Sequence, residues 1–332
     1  MSEFLADLEN CQLCEWRCGV NRLAGERGVC RLTIPQVASA MLHPAPPSSY
    51  TIFMAGCNFK CLHCQNWDIA HWPDTGATLR GEVEPEAMAR EGLAYLDSLE
   101  GQFIRADRLF FSGGESTCSL PYVEAVVAAA RQLDPAVKVN FDTNGFLTEE
   151  SLERVLRFTT SITYDLRAVN DEVHRALTGA PAAPVLRNAE IVAQHKEKLW
   201  EFRILVVPGV NEGEIEPLCQ FLADLDPTLP VCFLAFRPNF VLEQHSGASL
   251  ALMERAVQTA RQAGLANAEW AGRPGLRGEI TAARNPRYTM SGAQVAGAYA
   301  AAVGCSLHPR DCGHCDRNQR CPVKGYLPRR RT

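Results

Sequence analysis

"YTIFMAGCNFKCLHCQN", residues 50 to 66, runs an apolar, partly β-branched stretch directly into a loop bearing Cys57, Cys61 and Cys64. The first half has the composition of a strand, and Gly56 eases the turn that follows it. Three thiols at spacings of four and three can cap a metal, close one disulfide with a sulfur left over, or fill a core. A four-iron cluster with three protein thiolates keeps one iron open to another ligand, and this short loop suits that need.

The remainder of the chain narrows the choice. It has 332 residues, 46% of them hydrophobic, which is enough for one large domain with small appendages. With 33 basic and 38 acidic side chains the net charge is −5, which gives no electrostatic footprint for a nucleic-acid backbone; the basic end "PRRRT" reads as solvated. No apolar run reaches the roughly 18 residues of a membrane span, and "MSEFLADLEN" lacks the features of a signal peptide, so a cytoplasmic location is expected. A reducing compartment disfavours disulfides, which turns the fourteen cysteines toward metal.

Working outward, "YTIFMAG", "RLFFSGGE", "KVNFDTNG", "SITYDLRA", "EFRILVVPG" and "VCFLAFRPN" read as six strands ending in polar or glycine residues. Between and after them, stretches such as "SLPYVEAVVAAARQL" and "ALMERAVQTARQAG" repeat apolar residues at three and four, the helical period. This predicts an α/β fold, a partial (β/α)6 barrel whose function sits at the C-terminal strand ends; an open doubly wound sheet shows a similar alternation. The Pro-rich "HPAPPSS" and the neighbourhood of "ARNPRYTMSGA" mark boundaries. The expected organisation is a Cys-rich metal-binding module over 1–45, a core barrel over 46–290 and a second Cys-rich module over 291–332.

"CNFKCLHC" matches the C-x3-C-x2-C signature of the radical S-adenosylmethionine (SAM) superfamily, and companion motifs follow in order. "SGGE" at 112–115 resembles the glycine-rich stretch that contacts SAM, while "DTNG" at 142–145 and "YDLR" at 164–167 resemble segments of activating enzymes of the pyruvate formate-lyase type. The resemblance covers about residues 50 to 240 and includes relatives found beside Memo-type proteins. It implies a [4Fe–4S] cluster on Cys57, Cys61 and Cys64, and SAM held by His63, Ser112, Gly113, Gly114, Glu115, Asp142, Asn144, Asp165 and Arg167. It further implies a monovalent cation on Asp142, Thr143 and Asp165, where hard oxygen ligands suit such an ion. Three departures stand out: Ser116 follows "GGE" where activating enzymes have Pro, "AFRPNF" at 235–240 stands where a His-containing segment is expected near the cofactor, and Arg167 stands where they often have Lys.

Four thiols at each end offer closed sites. Cys11, Cys14, Cys18 and Cys30 suit structural or substrate-docking zinc or an iron–sulfur cluster. Cys305, Cys312, Cys315 and Cys321 resemble half of the auxiliary-cluster pattern of peptide-modifying radical SAM proteins; position 325, where that pattern continues, is Gly. An auxiliary [4Fe–4S] cluster is favoured over zinc here, with His308 and His314 as substitute ligands. Cys118, just after "SGGE", reads as a small buried hydrophobe, and Cys219 and Cys232 read as packing residues.

The resemblance thus implies an enzyme that reductively cleaves SAM to a 5′-deoxyadenosyl radical and abstracts hydrogen from a substrate, a protein or peptide in an activase-like reading. An electron donor such as flavodoxin or ferredoxin goes with it, and nucleic acid is not an expected partner. Modification of a peptide side chain or cofactor precursor is the alternative. A non-catalytic metal-binding scaffold would leave "SGGE" and "DTNG" without a purpose.

Overall fold

A computed structural model describes residues 3–275 and 290–329. The start of the expected boundary at "ARNPRYTMSGA" and the last residues of "PRRRT" lie outside them. Eight strands follow one another in chain order within the sheet. The chain divides into two compact units, Met1–Asn58 with Asn66–Thr163, and Phe59–Gln65 with Tyr164–Thr332. The second division falls inside a strand, β5 (Ser161–Leu166).

In the first unit, β1 (Val37–His43) pairs antiparallel with β2 (Ser49–Met54), which is parallel to β3 (Arg108–Gly113), itself parallel to β4 (Lys138–Thr143). Thr51 and Ile52, Leu109 to Phe111, and Val139 to Phe141 are all buried, the near-continuous burial of parallel strands covered on both faces. Helices α1 (Pro85–Leu96) and α2 (Leu120–Leu133) pack on each other, each carrying Pro in its first turn, where a missing N–H costs nothing. Helix α3 (Glu149–Phe158) starts at Thr148, whose hydroxyl accepts from the Ser151 N–H, and Glu149 and Glu150 favour its positive end.

In the second unit, β6 (Leu199–Val206), β7 (Pro230–Ala235) and β8 (Asn267–Ala271) run parallel. Its helices are α4 (Asp171–Thr178), α5 (Ala183–Gln194), α6 (Ile215–Leu225), α7 (Leu250–Gln262) and α8 (Gly292–Ala302). The Asn170 side chain caps α4 by accepting from the Glu172 and Val173 N–H groups, and Gly179, at φ 86°, ends it in the left-handed conformation that glycine tolerates. Helix α8 packs on α4.

The six expected strands are β2 to β7, each followed by a helix, so the α/β class and the six βα units of the partial barrel hold. The structure adds β1, β8, α4 and α8. No helix among the described residues is long and apolar enough to cross a membrane.

Candidate active site

In the first unit three strand ends meet. Gly114 N–H donates to the Met54 carbonyl at 2.8 Å and Glu115 N–H to that of Gly56 at 2.9 Å, so the "SGGE" backbone lies against the end of β2. A Cβ on Gly114 would stand 2.1 Å from the Gly56 oxygen, and one on Gly113, at φ 115°, 2.3 Å from the Met54 oxygen. No side chain fits either position. The Asn66 amide closes the arrangement by donating to the Gly113 carbonyl at 2.9 Å.

Glu115 links this loop to the end of β4. Its carboxylate accepts from the Thr117 N–H and hydroxyl at 3.1 and 2.6 Å, the Thr143 hydroxyl at 3.0 Å and the Asn144 N–H at 2.8 Å. Burial nevertheless wins over these donors and pushes its pKa up to about 7. Ser112 donates to Asp142 at 2.6 Å. The Asn144 amide donates to the Asn58 side chain at 2.7 Å and reaches the Cys57 sulfur at 3.8 Å. Glu115, Thr143 and Asn144 therefore spend polar atoms on one another, holding the loops in register beside Cys57.

In the second unit, the loop carrying Cys61 and Cys64 is tied to the end of α4, with Lys60 N–H donating to the Thr178 carbonyl at 2.8 Å and Leu62 N–H to that of Leu177 at 3.0 Å. His63 is buried; desolvation first, then the nearby Arg167 and Arg310 cations, hold its pKa well below the usual imidazole value, so it is neutral. Burial pushes the Cys61 thiol up to about 11, against the pull of Arg167 and Arg310. Arg167 donates to Asp165 at 2.5 Å, yet Arg167 Nη1, Asp165 Oδ1 and His63 Nδ1 are buried with no hydrogen-bond partner among the described residues. Buried polar atoms are nearly always satisfied, so three orphans beside two thiols mark a place for a polar ligand.

The two outer cysteine sets also collect. Cys11, Cys14, Cys18 and Cys30 line one small cavity together with Leu13, Val20, Arg22, Gly28 and Cys118. Cys118 is buried as expected, but its neighbours are thiols: it hydrogen-bonds with Cys30, and this contact first, then burial, raises its pKa. Near the other end, Cys312 is buried while Cys305, Cys315 and Cys321 are half-buried, and Cys312 N–H donates to the Gly179 carbonyl at 2.9 Å. His314 is exposed and pairs with Asp311 at 3.0 Å. Cys219 is buried on α6, and Cys232 lies beside Glu201 and Glu269 on the neighbouring strands.

Sequence reasoning passed over two arginines. Arg22 is 1% exposed and Arg310 2%. Arg22 donates to the carbonyls of Thr33 and Cys118, both at 2.7 Å, and Arg310 to those of Ala176 at 2.9 Å and Lys60 at 2.7 Å. Only their position between cysteines hinted at them.

The profile of the Radical SAM superfamily matches residues 51–222, slightly more than half of the chain. The chain belongs to the radical SAM superfamily. An uncharacterized protein of Methanocaldococcus jannaschii is 26% identical over 245 residues, 71% of this chain and 69% of that one. The pyruvate formate-lyase 1-activating enzyme of Escherichia coli K12 is 28% identical over 171 residues, 51% of this chain and 65% of the activase, just under two thirds of its length. Among solved structures, a domain of pyruvate-formate lyase-activating enzyme from Bacteroides vulgatus superposes with a TM-score of 0.41 at 20% identity, covering 50% of this chain and all of that one. The cofactors of this radical SAM enzyme are a [4Fe–4S] cluster and SAM. The residues of each unit fit them: in the first, Cys57 follows a strand end and the glycine pair leaves bare backbone beside it, and in the second, orphaned polar atoms stand beside Cys61 and Cys64.

Proposed function

We propose that this enzyme abstracts hydrogen from a protein or peptide substrate, with Cys57, Cys61 and Cys64 as the cluster ligands. When bound, the cluster and SAM together supply one-electron carbon–sulfur cleavage and a 5′-deoxyadenosyl radical. Gly113 and Gly114 let the main chain approach the methionyl part of SAM. Ser112, Asp142, Asn144, Asp165 and Arg167 orient its polar groups, and neutral His63 faces adenine. Glu115 acts chiefly by fixing the Thr143–Asn144 turn. Asp142, Thr143 and Asp165 are the ligands we assign to a monovalent cation, and a flavodoxin- or ferredoxin-class donor supplies the electron.

The observation that carries this reading is the bare glycine backbone hydrogen-bonded against the segment that leads into Cys57. A second reading, oxidation of a peptide side chain or cofactor precursor, is favoured by the thiol sets at both ends, which we assign as metal sites of a Cys-rich module over 1–45 and another over 291–332. The test is anaerobic reconstitution, reduction and assay for 5′-deoxyadenosine, followed by mass spectrometry of deuterium transfer from labelled candidate peptides. Cys61→Ala should reduce 5′-deoxyadenosine to background. Wild-type rates in that variant would overturn the assignment.

A further inference from the structure

A tetrahedral zinc ion with bonds of about 2.3 Å needs its sulfurs about 3.8 Å apart. Among the described residues, the one trio of His, Cys, Asp or Glu ligand atoms lying within 4.8 Å of one another is Glu201, Cys232 and Glu269. No three sulfurs of Cys11, Cys14, Cys18 and Cys30 therefore approach as zinc requires, although all four face the same cavity. An iron–sulfur cube binds each thiolate to a different iron and spreads them farther apart.

The cavity and its charge agree with this. It encloses about 330 Å³ of atom-free space counting its mouth, of which only about 20 Å³ admits the centre of a water. Such a space fits a group bonded to its walls better than loose solvent. Arg22 lines it, is almost wholly buried, touches the Cys11 sulfur at 3.7 Å, and leaves Nη2 without a partner. A buried guanidinium needs an anion. Four thiolates on zinc or on a four-iron cluster make one, whereas four neutral thiols or two disulfides do not, so the charge calls for a metal and the sulfur spacing chooses iron–sulfur.

We propose that Cys11, Cys14, Cys18 and Cys30 hold a [4Fe–4S] cluster, with Arg22 as its countercharge and the Cys118 thiol as a hydrogen-bond donor to the Cys30 sulfur. The site is knitted to the candidate SAM loops of its own unit. Arg22 grips the carbonyl of Cys118, in the turn that directly follows Glu115. Cys14 bridges to Leu147, Glu15 N–H donates to the Phe146 carbonyl at 3.2 Å, and the Trp16 indole donates to the Asn58 carbonyl at 2.8 Å, next to Cys57. Arg22 and Cys118 are positioning residues that tune the cluster without ligating it.

The test removes the other candidate clusters. A chain carrying Cys57→Ala, Cys61→Ala, Cys64→Ala, Cys312→Ala and Cys315→Ala, reconstituted anaerobically, should retain about four irons and four sulfides with no stoichiometric zinc. It should lose them when Cys18→Ser and Cys30→Ser are added. One zinc per chain with no iron overturns the proposal. Because this chain lacks Cys57, Cys61 and Cys64, retained iron supports the N-terminal cluster even if the catalytic reading fails. Against misfolding of the multiple variant, Cys18→Ser alone should lose about four irons relative to wild type, and an unchanged iron count overturns the assignment. Cys118→Ala should keep the iron but lower the cluster's reduction potential, because a hydrogen bond to a ligand sulfur favours the more negative reduced state. Loss of the iron would make Cys118 a ligand, and an unchanged potential would remove its role as donor.

Discussion

The two cysteine-rich ends of this chain have the same parts and use them differently. Each has four thiols and one buried arginine gripping main-chain carbonyls, and each sets one sulfur against a glycine where a side chain would strike it, Cys18 against Gly28 and Cys312 against Gly179 of the α4 end. At the N-terminal end the thiols close around a cavity, with Cys118 as a fifth sulfur, and Arg22 holds the turn after "SGGE". At the C-terminal end three thiols stay half-buried, and Arg310 holds the Lys60 carbonyl within the Cys61 and Cys64 loop. Cysteine number thus says little about what a module does. The carbonyl its arginine reaches says which part of the site depends on it.

Removing the arginines tests this most severely. Arg310→Met orphans two buried carbonyls, at about 1–3 kcal/mol each, and should destabilise the chain by several kcal/mol in chemical denaturation. Arg22→Met should cost less, because the Thr33 carbonyl is only part-buried. Equal losses would break the contrast. Iron analysis sharpens it: Arg310→Met should impair iron loading of Cys61 and Cys64, while Arg22→Met should impair that of Cys11, Cys14, Cys18 and Cys30.

The glycines give a smaller effect. A Cβ at Gly179 would meet the Cys312 sulfur at 2.3 Å from a backbone at φ 86°, whereas at Gly28 it would meet Cys18 at 2.7 Å. Gly179→Ala therefore combines left-handed strain of about 1–2 kcal/mol with overpacking of about 1–3 kcal/mol, and Gly28→Ala carries only the second. Denaturant midpoints should fall in that order.

Glu115 gives a pH signature confined to the first unit. Its folded pKa of about 7 exceeds its ordinary 4.5, so the folded state binds the proton more tightly. This contribution to stability is full below about pH 4.5, is lost as pH rises to about 7, and then levels off. In SAM-free protein, the melting temperature of wild type minus that of Glu115→Gln should fall across this window. A flat difference would remove burial as the governing influence. The smallest effect is kinetic: the half-buried C-terminal thiols should release metal to a chelator a few-fold faster than the enclosed N-terminal set, measured by colour release over time.

Much of this was legible because it is local. The six strand signals and the C-x3-C-x2-C loop lie within short windows, and strands β2 to β7 stand where their β-branched and aromatic runs predicted. β1, "VASAMLH", was missed because small residues and Met give it weak strand character beside a Pro-rich stretch, and β8, "NAEWA", because five residues carry too little pattern. In the candidate site, the glycine pair and thiols were readable, but the commitment of Thr143 to Glu115 depends on residues 28 apart. Cys118 joining the N-terminal thiols across so long a stretch of chain has no counterpart in spacing. Buried arginines run against the usual exposure of charged side chains, so only the folded chain exposes their role.

Trp16 offers an optical consequence. Its ring lies 4.8 Å from Phe146 and its N–H is tied to the Asn58 carbonyl, so an emitting indole that stands between Cys14 and Cys18 in sequence is held next to the residue that follows Cys57. Iron–sulfur chromophores absorb where tryptophan emits, so loading either group should dim this residue's fluorescence. The chain thereby contains its own gauge of cluster assembly, readable by comparing wild type with Trp16→Phe during reconstitution.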